Sequence, residues 1–406
     1  MLSKLLASTK DEAIRRTFGY YFLFICLGLD TAIGGPTLPA LAGQTGTRLG
    51  QMGLLFLAGS IGYTLGTMVG GRILDRVKAH PVMGIAQLVA AGLIALVPFI
   101  PWFWLLLALL VCKGFCEGVI NTGANALLVW THREKVGPFM NGLHFFFGLG
   151  AFLSPFLVAQ VIDIPGGYRF AYWILAFLAF LAGLRMLTLK NSPQPIHAQT
   201  EAGTAVGRGP VPYGLVISAM LFLFFYVGAE ITFGGWVYTY AVTLGLASVA
   251  GAAYLTSAFW LAFTIGRLLS IPAATRFKPK QVIPAALLGC LSILALAILF
   301  PNSSTILWVM AFGLGFCMAP IWPTGFTLAG QSMNLTGRLT GIILLGDSFG
   351  GMVLPSAVGG VIESAGASAM VLLIFGSLVL TLLAFFGILR LRPAQPAPEE
   401  VKAIDV

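Results

Sequence analysis

Apolar runs long enough to cross a membrane are the feature that most constrains the fold of this sequence. A helix rises ~1.5 Å per residue, so about 20 apolar residues span a hydrocarbon core of roughly 30 Å. Runs of this length predict an all-α integral membrane protein with twelve transmembrane helices, because a helix satisfies its own backbone hydrogen bonds in lipid. The predicted spans are 18–43, 49–74, 79–100, 102–131, 136–161, 168–190, 212–242, 247–273, 280–300, 304–330, 336–361 and 366–391.

The composition excludes a soluble protein of this size. Hydrophobic residues make up 58% of the 406 residues and charged residues 9%, which is more apolar surface than a soluble fold could bury. The 23 Lys and Arg residues then indicate orientation, because basic residues concentrate on the cytoplasmic side. If the N-terminus is on the cytoplasmic side, only Arg48 and Arg169 lie on the outer side of the membrane, and only Lys113 lies within a span. Both termini are therefore predicted in the cytoplasm, with the protein in the cytoplasmic (inner) membrane.

The chain divides at one long polar stretch between spans. Residues 191–211 contain Pro and Gly and predict a cytoplasmic linker. The predicted domains are a six-helix bundle over 1–190, a second over 212–391, and a cytoplasmic tail over 392–406. A shift of 200 residues aligns Asp30 with Glu230 and Arg76 with Arg276. Two like halves of six helices are the architecture of a secondary transporter whose site lies between them.

Acidic residues lie deep in several predicted spans. An ionised carboxylate in hydrocarbon costs several kcal/mol unless it is paired, protonated or facing water. Because Asp30 and Glu230 match by the repeat, they predict a polar cavity on the axis between the halves. The predicted ion-coupling residues are Asp30, Glu117, Glu230 and Asp347.

The fourth span carries a stripe of polar side chains. Lys113, Glu117, Asn121 and Asn125 follow one another at steps of four residues and so share one helix face. Lys113 and Glu117 are close enough to form a buried ion pair. The pair has two interpretations: it neutralises two buried charges, or Glu117 exchanges its partner for a proton, a cation or a substrate hydroxyl.

Further polar and aromatic residues predict the substrate site. Aromatic rings offer a face to the C–H groups of a sugar, while amides bind its hydroxyls. Packing alone also explains a buried histidine or tryptophan. Pro320 and Pro323 predict a kink in the tenth span beside the cavity. The predicted substrate-binding residues are Asn121, Asn125, Asn141, His144, Trp236, Trp260 and Trp322.

The segment GRILDRVKAHP, residues 71–81, resembles the loop signature of the major facilitator superfamily between its second and third helices. Asp75 and Arg76 are in place, whereas Val77 and Lys78 depart from the pattern. In that family the aspartate docks on the start of the eleventh helix and helps to lock one conformation. The resemblance therefore implies that Asp75, Arg76 and Arg338 are gate residues.

Three other segments are similar to the sugar-symporter branch of that superfamily, the group of the sodium-dependent glucose transporters and the fucose permease. They are GLDTAIGGPTLPALA, GVINTGANALL and GLHFFFGLGAFLSPF. The branch tends to carry an acid at the position of Asn121, so the usual coupling carboxylate is missing there. Either Glu117, one turn earlier, replaces it, or Asp30 and Glu230 couple the ion alone.

The predicted function is secondary transport of a small neutral solute, with a sugar preferred, by alternating access coupled to H⁺ or Na⁺. An exporter of amphipathic compounds, of the multidrug antiporter type, is the alternative, and a non-transporting receptor or scaffold is a third hypothesis. No enzyme is predicted, because no nucleophile–base pair is recognisable. No metal, cofactor or nucleic-acid partner is expected beyond the coupling ion, the substrate and the lipid bilayer, and a monomer is expected.

Overall fold

Helices form all the regular structure in the residues that the computed structural model describes, which are 2–74, 76–189, 212–333 and 337–392. Twelve helical segments are long and apolar enough to cross a membrane. The predicted linker, and all of the predicted tail beyond residue 392, lie outside the described residues. The helices are α1 (Leu2–Thr45), α2 (Gly53–Leu74), α3 (Ala79–Leu96), α4 (Phe103–His132), α5 (Val136–Val161), α6 (Gly167–Thr188), α7 (Tyr213–Thr243), α8 (Val249–Arg276), α9 (Pro279–Leu299), α10 (Ser304–Met318), α11 (Ile321–Ser332), α12 (Gly337–Ala365) and α13 (Ala369–Leu391).

The tenth span is broken into two helices, α10 and α11. The break falls at Pro320, where the predicted kink is confirmed, because proline supplies no backbone N–H to continue the ladder. The Pro320 carbonyl still accepts a hydrogen bond from the Thr324 backbone N–H at 3.1 Å. The polypeptide therefore resumes as a helix within one turn of the break.

The same pairs of helices pack together in both halves. In the first half α1 packs on α5, α2 on α4 and α3 on α6. The corresponding pairs of the second half are α7 with α12, α8 with α10, and α9 with α13. The halves meet where α5 packs on α8, α2 on α12 and α1 on α7. This arrangement places the acids of α1 and α7 on the two sides of the interface.

Glycines allow the closest of these helix pairs to form. Gly28 of α1 and Gly150 of α5 each lie against the backbone of the other helix, and a Cβ at either position would overlap a carbonyl oxygen, that of Phe147 or of Ile25. Such contacts drive association in lipid, where helices gain no hydrophobic energy by packing on each other.

We expect Gly150→Ala to destabilise the first half, because the new methyl group meets backbone atoms of Ile25 and Leu29 that cannot rotate away. Overpacking of this kind costs about 1–3 kcal/mol. The matched control is Gly92→Ala on α3, where no heavy atom lies within 4 Å of the added Cβ. Thermal unfolding in detergent measures both variants. Equal stability of the two would show that α1 and α5 are farther apart than in this structure.

Candidate functional site

A buried cluster of three charged side chains joins α1 to α4. Lys113 Nζ donates a hydrogen bond to Glu117 Oε1 at 2.6 Å and another to Asp30 Oδ2. The side chains of Asp30, Lys113 and Glu117 are 5%, 12% and 18% exposed. We call these three residues the α1–α4 triad. Two carboxylates share one ammonium group, so the triad carries one uncompensated negative charge when both acids are ionised.

The triad includes a contact that the sequence did not indicate. The predicted pair of Lys113 with Glu117 follows from their four-residue spacing on one helix. Asp30 lies on a different helix and was expected to face a cavity, whereas Lys113 binds it directly. Asp30 is therefore paired in this conformation, because α1 and α4 pack with these two side chains facing each other.

The polar stripe of α4 continues beyond the triad. Asn125 Nδ2 donates to the Asn121 carbonyl oxygen at 2.9 Å and to Asn121 Oδ1 at 3.3 Å. Both amides are half-buried. The stripe therefore presents two linked amides one and two turns from Glu117, and amides are groups that hydrogen-bond sugar hydroxyls.

The second half has its own charged cluster, formed by Glu230 of α7, Arg267 of α8 and Asp347 of α12. Glu230 is 8% exposed, and Arg267 is close enough to Glu230 and Asp347 for electrostatic interaction. The ion pairs of the described residues involve Arg16, Arg48 and Lys113. Within the described ranges, neither acid of this second cluster therefore has a cation in direct contact.

The position of Arg267 corrects the predicted distribution of basic residues between the membrane spans and the two membrane surfaces. That prediction left only Lys113 within a span, whereas Arg267 lies inside α8, nine residues before the helix ends at Arg276. Its guanidinium carbon is 4.5 Å from the centre of the Phe263 ring, and its buried Nε has no hydrogen-bond acceptor among the described residues. The stacking on a ring compensates part of the cost of burying this charge.

Side chains at the interface between the halves lie near the charged clusters. Tyr63 of α2 is 36% exposed and lies within electrostatic range of both Glu117 and Asp347. His144 of α5 is likewise exposed and within range of Arg267. The structure therefore places the four predicted ion-coupling residues in two clusters, two acids in each half, and it adds Arg267 and Tyr63, which the sequence analysis did not select.

Asn141 and His144 lie on the same face of α5, toward the predicted cytoplasmic end. Both side chains are exposed. The His144 ring packs edge-on against Phe24 of α1, with ring centres 5.9 Å apart. His144 is therefore held at the boundary of α1, α5 and α8, where it is accessible to a ligand between the halves.

The three predicted substrate-binding tryptophans have different environments. Trp322 is half-buried, donates from Nε1 to Asp347 Oδ1 at 3.0 Å, and stacks on Phe326. Trp260 is 4% exposed, and its Nε1 has no acceptor within the part of the chain that the structure describes. A bound ligand or water would satisfy this buried donor.

The structure corrects the prediction that Trp236 binds the substrate. Its side chain is fully buried, and its Nε1 donates to the Pro355 carbonyl oxygen at 2.9 Å. Its ring packs beside Phe56 of α2. In this conformation Trp236 joins α7 to α12 and α2, and its buried side chain is not accessible to a substrate, because both its donor and its ring already have partners.

Several contacts between the halves lie on the predicted outer side. Arg48 Nη1 lies 3.5 Å from Glu363 Oε1, and Gln160 Nε2 donates to the Tyr254 hydroxyl at 2.5 Å. Gly35 of α1 lies directly against the backbone carbonyls of α7. The halves are therefore closed against each other on this side.

One of the three predicted gate residues, Arg76, is described by the structure, and it lies on the opposite side. Arg76 is exposed in the turn after α2, and its backbone N–H donates to the Ile73 carbonyl oxygen at 3.0 Å. Asp75 and the side chain of Arg338 lie outside the described residues, so the implied contact between them stays a prediction.

The sequence matches the Major Facilitator Superfamily over residues 20–355 and 247–405. Sodium-dependent glucose transporter 1A of Mus musculus is 30% identical over 376 residues, covering 84% of this chain and 88% of the relative. Sodium-dependent glucose transporter 1 of Homo sapiens is 29% identical, covering 83% of this chain and 71% of that protein.

Solved structures show the same fold. A mutant form of the nucleoside transporter NupG superposes with a TM-score of 0.74 at 14% identity, covering 93% of this chain and 99% of that one. The D-xylose-proton symporter superposes with a TM-score of 0.73 at 16% identity, covering 92% and 97%. These findings confirm the predicted all-α fold and the predicted class, an integral membrane transporter rather than an enzyme. The chain belongs to the major facilitator superfamily.

Proposed function

We propose that this protein is a secondary transporter that moves a small neutral sugar by alternating access, coupled to H⁺ or Na⁺. The observation that carries the proposal is the pair of charged clusters, one in each half, with Tyr63 within electrostatic range of both. Each cluster has more acids than bases, so binding of a cation lowers the charge that must cross the membrane interior when the halves reorient.

Residues beside the clusters fit a sugar. Asn121 and His144 offer groups that both donate and accept hydrogen bonds, and Trp322 offers a partly exposed ring. Arg267 adds charged donors that bind hydroxyl oxygens. The relatives support this substrate class, since the mammalian proteins of similar sequence are named glucose transporters and a protein of similar fold is named a xylose–proton symporter.

Closure on the outer side agrees with alternating access in a cytoplasmic membrane, with both termini inside. In this scheme the structure represents a state in which the site is reached from the cytoplasm. Outward opening requires separation of Arg48 from Glu363 and of Gln160 from Tyr254. Rocking of one half against the other moves these contacts together.

The test is D-glucose transport by the full-length protein in proteoliposomes. We expect wild-type protein to exchange labelled D-glucose in counterflow and to accumulate it under an inward ion gradient. Accumulation is expected to be lost in Asp30→Asn and Glu230→Gln, because an amide does not take up a proton and has no negative charge to attract Na⁺. The matched control is Asp163→Asn, at an exposed acid just after α5.

Counterflow and accumulation that persist in both variants, with the pH and Na⁺ dependence of wild type, contradict the coupling assignment. Absence of D-glucose counterflow, together with reduced drug accumulation in cells that express the protein, supports export of amphipathic compounds instead.

A further inference from the structure

We propose that the surface between α1 and α6, at the predicted cytoplasmic side of the membrane, binds one anionic phospholipid. We call this surface the α1–α6 groove. The lipid phosphate lies between Arg15 and Arg185, and an acyl chain lies along Phe18 and Leu181. The groove is on the lipid-facing surface of the first half, so the proposal does not depend on the transported solute or on its coupling ion.

The two helices of the groove are in close contact at this end. Arg185 Nη2 donates a hydrogen bond to the Arg15 carbonyl oxygen at 3.5 Å. One turn further along α1, a Cβ at Gly19 would lie 2.9 Å from Leu189 Cδ1 and 3.6 Å from Met186 Sδ of α6. Because Gly19 has no side chain, α6 can approach α1 closely, and this approach places the Arg185 guanidinium beside the backbone of α1.

The two arginines keep N–H donors for a ligand. Both side chains are exposed, and neither forms an ion pair within the described ranges. Glu12, the acid nearest in sequence to Arg15, is bound by Arg16 at 2.6 Å. Arg185 uses two of its five N–H groups, on the Arg15 carbonyl and on Thr188 Oγ1. A guanidinium binds two phosphate oxygens through its planar set of donors, so the remaining N–H groups suit a phosphate.

Apolar side chains continue the groove into the membrane. Phe18 is 62% exposed and Leu181 is 38% exposed. Phe18 lies three residues after Arg15, and Leu181 lies four residues before Arg185, so each shares a helix face with the arginine of its own helix. Both lie deeper in the membrane than the arginines, because α1 enters and α6 leaves the membrane at this side. The charged end and the apolar end of the groove therefore match the two ends of a phospholipid.

The second half lacks this arrangement on its first helix. A shift of 200 residues places Leu215 and Ser218 of α7 at the positions of Arg15 and Phe18. Leu215 is 1% exposed, and the Ser218 hydroxyl donates to the Gly214 carbonyl oxygen at 2.8 Å. Because α7 has no cation at the matching position, the repeat predicts a lipid site in the first half without a counterpart in the second.

Charge selects an anionic lipid among the molecules that could cover the groove. A zwitterionic lipid brings an ammonium group, which the two arginines repel. A second copy of this chain paired through the same surface would place the arginines of both copies together, because a two-fold interface joins identical patches. Inorganic phosphate has the charge but has no acyl chain for Phe18 and Leu181.

Native mass spectrometry of the purified full-length protein in detergent tests the proposal. We expect one molecule of added phosphatidylglycerol to be retained in preference to phosphatidylcholine with the same acyl chains. The double variant of Arg15→Gln with Arg185→Gln is expected to bind phosphatidylglycerol about 25-fold more weakly, because each basic residue near an anionic membrane surface contributes about fivefold in affinity. The matched control is Arg276→Gln with Arg390→Gln, two exposed arginines at the cytoplasmic ends of α8 and α13, which should bind the lipid as wild type does.

A salt titration of the wild type tests the charge contribution without any substitution. Raising the salt from about 0.15 M to about 1 M shortens the Debye length from about 8 Å to about 3 Å, so the affinity for phosphatidylglycerol should fall. Inorganic phosphate at the same concentrations is expected not to bind, and Phe18→Asn is expected to weaken binding of the lipid.

Three results would overturn the proposal. The first is equal retention of phosphatidylglycerol and phosphatidylcholine by wild type, and the second is affinity for phosphatidylglycerol that neither salt nor the Arg15 and Arg185 substitutions lower. The third is a dimer without added lipid that the same double variant dissociates, since a second copy of the chain would then cover the groove. Because all four substituted arginines are exposed, both double variants are expected to melt at the wild-type temperature when no lipid is added.

Discussion

Replacing Lys113 with alanine is expected to destabilise the folded protein by about 3–5 kcal/mol, the usual cost of removing one partner from a buried ion pair. The reason is that Asp30 and Glu117 would remain 5% and 18% exposed without their shared cation. Two carboxylates that share one ammonium group repel each other once it is removed, and neither has bulk water to replace it. Thermal unfolding in detergent, followed by the fraction of monodisperse protein after heating, measures the loss.

Compensating substitutions distinguish lost charge balance from lost packing. Adding Asp30→Asn to Lys113→Ala should recover part of the stability, since only one acid then remains and a single proton neutralises it. The triple variant with Glu117→Gln should recover more, because a buried charged network is often replaced by neutral groups at little cost. Lys135→Ala, at an exposed site, is expected to stay within about 0.5 kcal/mol of wild type. A loss in Lys113→Ala no larger than this control contradicts burial of the triad.

The membrane fold was predictable from sequence because lipid imposes a minimum length on every span. The predicted spans 49–74 and 136–161 coincide with the segments Leu49–Leu74 and Val136–Val161. The break at Pro320 was predictable for a similar reason, since proline cannot donate in the helix ladder whatever surrounds it. Features that depend on one helix alone were thus readable from the sequence.

Contacts between helices were less predictable. The Lys113–Glu117 pair follows from helical spacing, whereas the Lys113–Asp30 contact depends on how α1 packs on α4. Trp236 shows the same limit: neither its hydrogen bond to Pro355 nor its burial against Phe56 can be inferred from a tryptophan in an apolar run. The position of Arg267 could have been predicted, because residue 267 falls inside the predicted span 247–273. Arg267 should therefore have been assigned to the membrane interior and not to the cytoplasmic side.

Arg267→Ala is expected to lower D-glucose counterflow by about tenfold to a hundredfold while leaving the folded protein nearly as stable as wild type. A hydrogen bond between a charged donor and its partner contributes about 1.5–3 kcal/mol, which corresponds to that range of affinity. The free protein offers the guanidinium no carboxylate in direct contact among the described residues, and its Nε is unpaired. A bound sugar hydroxyl would therefore give the Arg267 guanidinium a hydrogen bond that its neighbours do not supply when the site is empty.

The matched control is Arg276→Ala, at the exposed end of the same helix, which should retain counterflow. Arg267→Lys is expected to restore only part of the activity, because a lysine keeps the charge but loses the planar donor set and the stacking on Phe263. The dependence of counterflow on D-glucose concentration locates the defect: a raised half-saturating concentration indicates lost sugar contact. An unchanged half-saturating concentration with a strongly lowered melting temperature would instead show that Arg267 stabilises Glu230 and Asp347, and would remove it from the sugar site.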